Sequence, residues 1–271
     1  HSDVMAVRDT GWIQIFTEDG QEVFDSVLCA FKIAEDPRVL LPVMVHLDGF
    51  HLSHMIEPIL IEEQEKVTRF LPPNKYPFPL NPDKPVSMGT FAPPIIYSEA
   101  KRAQEDNIQK SKAVIKEVWD DFNKQFGRQY QPVETYRTEG AKTLLLTMGS
   151  FSQTAMTAID ELRDNGQDVG LVRFRLWRPF PVEEFRDAVQ DAGTIIVLDR
   201  AYSTGGQAGP VCSEVRSVLY KQPNRPNIVN IIGGIGGRDI TVKHFKEIIN
   251  KGIDMAENGS DHEFEIYGVR E

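Results

Sequence analysis

Between residues 142 and 251 the chain repeats one hydrophobic pattern four times. A short apolar run is followed by a turn, and the turn by a stretch with apolar residues three and four apart. The runs are 143–148, 169–175, 194–199 and 227–232, and the stretches after them are 151–165, 182–191, 208–220 and 241–251. Runs this short and this apolar read as strands buried on both faces. Strands alternating with helices predict an α/β fold with a parallel sheet covered on both sides. The last ten residues, with Phe264, Ile266 and Tyr267, form either a further short strand or a docking tail.

The earlier part is less regular. Residues 11–17 alternate apolar and polar and read as a strand. Residues 20–35 carry Val23, Phe24, Val27, Leu28, Phe31 and Ile33 at helical spacing, with Asp36-Pro37 marking the end. A buried strand over 39–47 follows, so this is a strand, helix, strand unit whose second strand ends at Asp48. The acidic stretch Glu62 to Glu65, followed by 67–71, predicts a short helix. Residues 72–94 hold eight prolines, and no regular element survives so many missing donors. Yet Tyr76, Phe78, Met88 and Phe91 are not what a solvated linker needs, so this segment is expected to lie on a surface of this subunit or a partner. Tyr97 to Phe126, closed by Gly127, predicts one long helix. Its apolar stripe is narrow (Ile108, Val114, Ile115, Val118, Trp119, Phe122, Phe126). A helix that polar is expected to bridge two bodies rather than fill a core. The division is therefore residues 1–95, a linking stretch 96–140 ending near Thr138-Glu139-Gly140, and 141–271.

Composition narrows the function. A chain of 271 residues allows one large domain or two ordinary ones. Its 40 acidic against 30 basic residues, net charge -10, argue against nucleic acid and anionic lipid as partners. Cys29 and Cys212 are too far apart for a metal spacing or a disulfide framework, and read as reduced core residues of a cytoplasmic protein. No apolar run reaches membrane-spanning length and no signal peptide is evident. The opening on His1 reads as the middle of a longer polypeptide, its first part removed or carried on another chain.

The densest candidate chemistry is Asp48-Gly49-Phe50-His51-Leu52-Ser53-His54, at the carboxyl end of a strand, where open α/β sheets bind ligands. A plain turn is the alternative, since Asp-Gly suits one. His46, His51 and His54 lie near Asp48 and Glu57, but a strand followed by a loop scatters such side chains, so no metal site is expected. A serine-hydrolase elbow is absent. The glycine-rich turns 203–209 and 233–237 fit neither the dinucleotide fingerprint nor the P-loop, although the amides of the first could cradle an anion. His1 reads as a loop residue rather than a base. Arg8 suits a carboxylate or phosphate, or a surface salt bridge with Asp9 or Asp3. Arg173 and Arg175 share one face of a strand that should be buried, and are expected to pair with acids across a subunit or domain contact.

Several stretches together, in order and over nearly the whole chain, resemble the α chain of pyruvate:ferredoxin oxidoreductases. They are His1 to Trp12, Leu47-Asp48-Gly49-Phe50 with Ser53-His54, Phe126-Gly127-Arg128-Gln129-Tyr130, Tyr136-Arg137-Thr138-Glu139, Thr147-Met148-Gly149-Ser150, Val172 to Pro181, and Leu198-Asp199-Arg200. The resemblance implies that residues 1–95 are the back half of the domain holding the pyrimidine side of thiamine diphosphate. It makes 141–271 a domain like the C-terminal domain of transketolases. It implies oxidative decarboxylation of a 2-oxoacid, pyruvate foremost, to an acyl-CoA and CO2, with electrons passing through 4Fe-4S clusters to ferredoxin. In such chemistry the thiazolium ylid is the electron sink and the protein orients it.

By the same resemblance, the first part of the α chain lies outside this sequence, with its glutamate for the aminopyrimidine and its principal substrate residues. Mg²⁺ and the diphosphate belong to a β chain, and the clusters to other chains. This chain alone is expected to be inactive, with no bound cofactor and no catalytic residue assigned. Arg8, Thr10, Asp48, Ser53 and His54 are active-site wall candidates, and the glycine turn 205–209 would lie near a subunit contact. Expected partners are β, γ and δ type subunits and the rest of α, with ferredoxin and CoA met through the complex. The alternatives are another 2-oxoacid (oxalate, 2-oxoglutarate, branched-chain), the β chain of a lipoamide-linked 2-oxoacid dehydrogenase, or a non-catalytic assembly module. An incomplete first sheet predicts an isolated chain that is poorly soluble or soluble only as an assembly.

Overall fold

The computed structural model describes residues 1–89, 91–260 and 262–270. A short helix α1 (Ser2–Ala6) leads to strand β1 (Ile13–Phe16), helix α2 (Gly20–Ala34) and strand β2 (Val43–His46). Every residue of β1 is buried. β1 and β2 run parallel, from Ile13 opposite Val43 to Phe16 opposite His46. α2 starts where Asp19 accepts the Glu22 amide, a side-chain N-cap. β2 is shorter than the apolar run 39–47. Leu40 adopts a left-handed φ of 47° and Pro42 has no amide to donate, so pairing begins at Val43.

Helix α3 (Gln64–Phe70) and the long helix α4 (Pro94–Phe126) complete this body. α4 begins on Pro93-Pro94 and ends at Gly127, left-handed at φ 76°. Its stripe packs on Ile13, Ile15, Cys29, Ile33 and Phe70, and Trp119 and Phe122 are fully enclosed there. The expected bridge is only part of its role: the C-terminal part of α4 fills the core of the first body, because α2, β1 and α3 together surround even a narrow stripe. It also reaches the second body, with Lys112 3.6 Å from Glu183 and Lys116 3.8 Å from Glu184. Between α3 and α4 the described residues form no helix or strand. Tyr76, Phe78, Leu80, Met88 and Phe91 stand exposed.

The second body contains β3 (Val133–Tyr136), β4 (Thr143–Met148), α5 (Phe151–Asp164), β5 (Val169–Phe174), β6 (Leu176–Arg178), α6 (Val182–Val189), β7 (Thr194–Asp199), α7 (Pro210–Leu219), β8 (Asn227–Ile232), α8 (Val242–Asn258) and β9 (Glu265–Ile266). Its sheet has the order β3-β5-β4-β7-β8-β9, parallel throughout except for β3. Period-two alternation divides the core. Leu144, Leu146 and Val197 face α6 and α7, while Leu145, Ile196 and Leu198 face α5 and α8. The tail takes the strand alternative, as β9.

Two strands have no counterpart in the hydrophobic pattern. β3 joins the sheet from within the stretch expected to be a linker. β6 leaves the second body and pairs antiparallel with β1, Ile15 opposite Leu176 and Gln14 opposite Arg178. The second body thus supplies the third strand of the first sheet, and the carboxyl ends of β2, β4, β7 and β8 come together.

Candidate functional site

Asp48, two residues beyond β2, is the hub of that junction. Its Oδ1 lies 2.7 Å from His1 Nε2. Its Oδ2 accepts the Ser150 amide at 2.7 Å and the Ser150 hydroxyl at 2.5 Å, and Arg200 Nη1 lies 2.5 Å away. The approach is close enough that Gly149, at φ 75°, has no room for a side chain: a Cβ there would sit 2.7 Å from Asp48 Oδ2. Arg200 also covers the Phe151 ring at 3.7 Å, and burial draws its pKa down. Beside this hub lies a cleft of about 420 Å³, lined by His1, Val4, Phe16, His46, Phe50, Arg200 and the glycine turn 234–237. His46 packs on Phe16 with ring centroids 4.5 Å apart. Burial lowers its pKa to about 4, so the ring is neutral at pH 7, with a buried Nε2 that has no partner.

His1 requires a correction. It does precede α1 as a loop residue, but its side chain is enclosed against Asp48. Ser150 and Arg200 were not singled out. The strand-end rule, applied to β4 and β7 as it was to β2, would have found both. His51 turns its edge to Phe151 at 5.8 Å, while His54 stacks on Phe50 at 4.7 Å. The histidines do not converge. Among the described residues no group of three or more His, Cys, Asp or Glu could hold a metal ion.

The five wall candidates fall in two places. Asp48, Ser53 and His54 occupy the loop after β2. There Ser53 Oγ accepts the Phe50 amide at 3.0 Å and shares a 2.7 Å hydrogen bond with His54 Nδ1, both residues exposed. Arg8 and Thr10 lie on the turn between α1 and β1. Arg8 Nη1 donates to the Met5 carbonyl at 2.7 Å, its Nε is 3.6 Å from Asp9, and Thr10 Oγ1 donates to the Val7 carbonyl at 2.7 Å. Arg8 borders a separate cleft of about 240 Å³ with Trp12, Gln104 and Arg178. This chain by itself does not bring the five together: α1 lines the cleft beside Asp48, but the turn after it carries Arg8 to the second cleft.

The anion cradle considered at 203–209 is filled from within. Asp199 accepts the first free amides of α7, from Val211 at 2.8 Å and Cys212 at 3.1 Å, and Asn230 accepts the Gly209 amide at 2.8 Å. Burial raises the Asp199 carboxyl to about 6. Both cysteines are free and buried, and burial pushes their thiols up.

Arg173 and Arg175 do pair with acids across the contact between the bodies. Arg173 meets Glu18, Glu22 (3.0 Å) and Glu134; Arg175 meets Glu22 and Glu134 (2.6 Å). Burial pushes Glu22 up, but the two guanidiniums outweigh it and hold the carboxyl below its usual value. Nearby, Asp25 accepts Arg128 Nε at 2.5 Å and the Tyr130 hydroxyl at 2.6 Å, and Arg128 also reaches Glu62 at 2.9 Å. Among the described residues no helix is long and apolar enough to cross a membrane.

Two families match the chain in sequence. One, described as pyruvate flavodoxin/ferredoxin oxidoreductase, thiamine diphosphate-binding, matches residues 1–120. The other, pyruvate:ferredoxin oxidoreductase core domain II, matches 141–245. The chain is 43% identical to pyruvate synthase subunit PorA of Methanothermobacter thermautotrophicus, over 92% of this chain and 64% of that protein. It is 35% identical to PorA of Methanosarcina barkeri, over 100% and 68%. It is 38% identical to ketoisovalerate oxidoreductase subunit VorA of Pyrococcus horikoshii, over 99% and 68%. The chain spans about two thirds of the length of the curated relatives it matches. Among solved structures it is similar to a 2-oxoglutarate:ferredoxin oxidoreductase from Magnetococcus marinus, with a TM-score of 0.59, covering 93% of this chain and 45% of that one. At 17% identity this likeness concerns the fold.

Proposed function

The chain belongs to the pyruvate:ferredoxin oxidoreductase α-subunit family, and on that premise we propose that it works within a thiamine-diphosphate-dependent complex. The complex oxidatively decarboxylates a 2-oxoacid, pyruvate first among them, to an acyl-CoA and CO2, and reduces ferredoxin in the cytoplasm. One observation carries the reading. Residues from four of the stretches that bear the family pattern, His1, Asp48, Ser150 and Arg200, meet at a single carboxylate where both matched segments join.

The cofactors test which part of the work falls to this chain. Thiamine diphosphate needs a cation and donors for its diphosphate. The described residues hold no cluster of three or more His, Cys, Asp or Glu suited to a metal ion, and the glycine-led helix end at α7 is taken by Asp199. Two buried, separated cysteines cannot hold an iron–sulfur cluster. On the family resemblance, this proposal assigns the diphosphate, Mg²⁺ and 4Fe-4S clusters to other chains. Residues 1–95 form the back half of the pyrimidine-side domain, 96–140 the linking stretch with its long helix, and 141–271 the transketolase C-terminal-like domain. By pairing, β3 goes with the last of these. Arg8, Thr10, Asp48, Ser53 and His54 are proposed as wall residues, brought to one site only when the remainder of α and the partner subunits are in place. Partners of β, γ and δ type are proposed, one of them lying against the exposed Tyr76, Phe78, Leu80, Met88 and Phe91. The similarity to a ketoisovalerate enzyme subunit supports branched-chain 2-oxoacids as the second reading of substrate.

The test is the native complex, purified with this chain and resolved by intact mass and sequencing of every chain. It is assayed for CoA-dependent reduction of ferredoxin or viologen. Pyruvate giving the highest kcat/KM supports the proposal, and a branched-chain 2-oxoacid doing so selects the second reading. A complex that carries thiamine diphosphate yet reduces nothing with any 2-oxoacid would overturn both in favour of an assembly module.

A further inference from the structure

We propose that the joint between the two α/β bodies is a proton-operated latch centred on Glu18, closed when that carboxyl group is protonated and loosened when it is ionised. Four charged side chains are enclosed at the joint, and a fifth, Glu134, stands at its rim with its side chain 30% exposed. Glu18, in the turn after β1, and Glu22, on α2, come from the first body. Glu134 on β3, Arg173 on β5 and Arg175 just beyond come from the second. Three carboxylates thus face two guanidiniums, with water reaching only Glu134. The surplus charge falls on Glu18. Glu22 engages both arginines and also accepts the Glu18 amide at 3.0 Å. Glu134 likewise engages both. Glu18 has only Arg173, which the other two already share. One proton on Glu18 makes the cluster neutral, and removing it leaves an uncompensated buried charge.

The other charged groups near the turn have partners of their own. Asp19, next in the turn, accepts the Glu22 amide and Gln153 Nε2 of α5 at 2.9 Å. Glu57, from the loop after β2, accepts the Gly20 amide at 2.5 Å. Both are engaged by amides at the start of α2, outside the five-charge cluster. Asp25, one turn along α2, is already matched by Arg128. The outer side of Arg175 is closed by the Tyr130 ring at 4.9 Å and the Gln131 carbonyl at 2.5 Å. Burial raises the Glu18 carboxyl to about 7; Arg173 and Arg175 oppose the shift while Glu22 and Glu134 add to it.

The sign follows from linkage. A carboxyl raised above its ordinary value binds a proton more tightly in the closed joint than in the open one. The closing contribution is complete below the ordinary glutamate pKa of 4.5 and is lost as pH rises through about 7, beyond which both forms are ionised. Because the joint also sets where Ser150 and Arg200 stand relative to Asp48, opening it frees the cleft.

The experiment is amide hydrogen exchange on the full chain in its native complex, corrected for intrinsic rates. It follows segments 17–25 and 131–136 against pH, alongside the infrared carbonyl band of protonated carboxylic acid. Expected is an opening equilibrium that grows by up to about tenfold per pH unit between roughly pH 5 and 7 and then levels off. Glu18→Gln should flatten this profile and remove the infrared band that disappears near neutrality. Glu134→Gln, which leaves two carboxylates against two guanidiniums, should move the rise to lower pH. An unchanged slope in Glu18→Gln, or a wild-type chain with neither slope nor band, overturns the latch.

Discussion

Asp48 commits both oxygens to His1, Ser150 and Arg200, so its carboxylate holds two bodies in register rather than facing the cleft with a free lone pair. Asp48→Asn keeps the shape and removes the charge, leaving Arg200 buried beside a neutral amide. Breaking a buried pair in this way costs about 3–5 kcal/mol, measurable as a lower denaturant midpoint of the full chain. No change in midpoint would mean that water already screens the pair. The hub itself was legible, because an acid at the carboxyl end of a buried strand is a local signal. Its partners were not, since they lie about 100 and 150 residues further on and leave no mark near Asp48. His46 illustrates the same limit: its place in a strand can be read from pattern, but its neutral ring comes from burial under Phe16. Arg173 and Arg175 were legible for a different reason. Two charges on one face of a buried strand demand counter-ions wherever those come from.

Among the elements, α4 separates two kinds of apolar residue. Phe122 is fully enclosed against Phe70 and Tyr130, so Phe122→Ala is expected to cost about 3–5 kcal/mol in a chemical melt. Phe91, just ahead of the helix, is 82% exposed. Phe91→Ser should leave that melt within about 0.5 kcal/mol yet weaken co-purification with the partner subunits. Retained co-purification would remove this segment from the interface. The C-terminal end of α4 was legible from Gly127, but its start, expected at Tyr97, lies at Pro94, because a proline in the first turn needs no amide donor; its packing was not legible, because a narrow stripe looks the same whether one surface or three enclose it. β3 and β6 were illegible on length alone. Four and three residues of mixed character become strands only because β5 and β1 offer them an edge.

For the molecule as a whole, the first sheet stops at β2 with one side open. Val27 and Phe31 on α2 and Val43 and Val45 on β2 line a shallow apolar groove of about 270 Å³. An open strand edge beside an apolar face is a template for association. Light scattering of the isolated chain should therefore show assemblies or loss of soluble material. A monodisperse, cooperatively melting monomer would show that this surface needs no cover. A second feature of the same sheet bears on its birth. β1 cannot gain its other neighbour until β6 has been synthesised, about 160 residues later. At a ribosomal pace of roughly 5–20 residues per second, that is a wait of roughly ten to thirty seconds. During that interval the nascent first half has a middle strand with one side unclaimed, so any fragment broken off before residue 176 inherits a sheet that lacks a piece encoded in the second half.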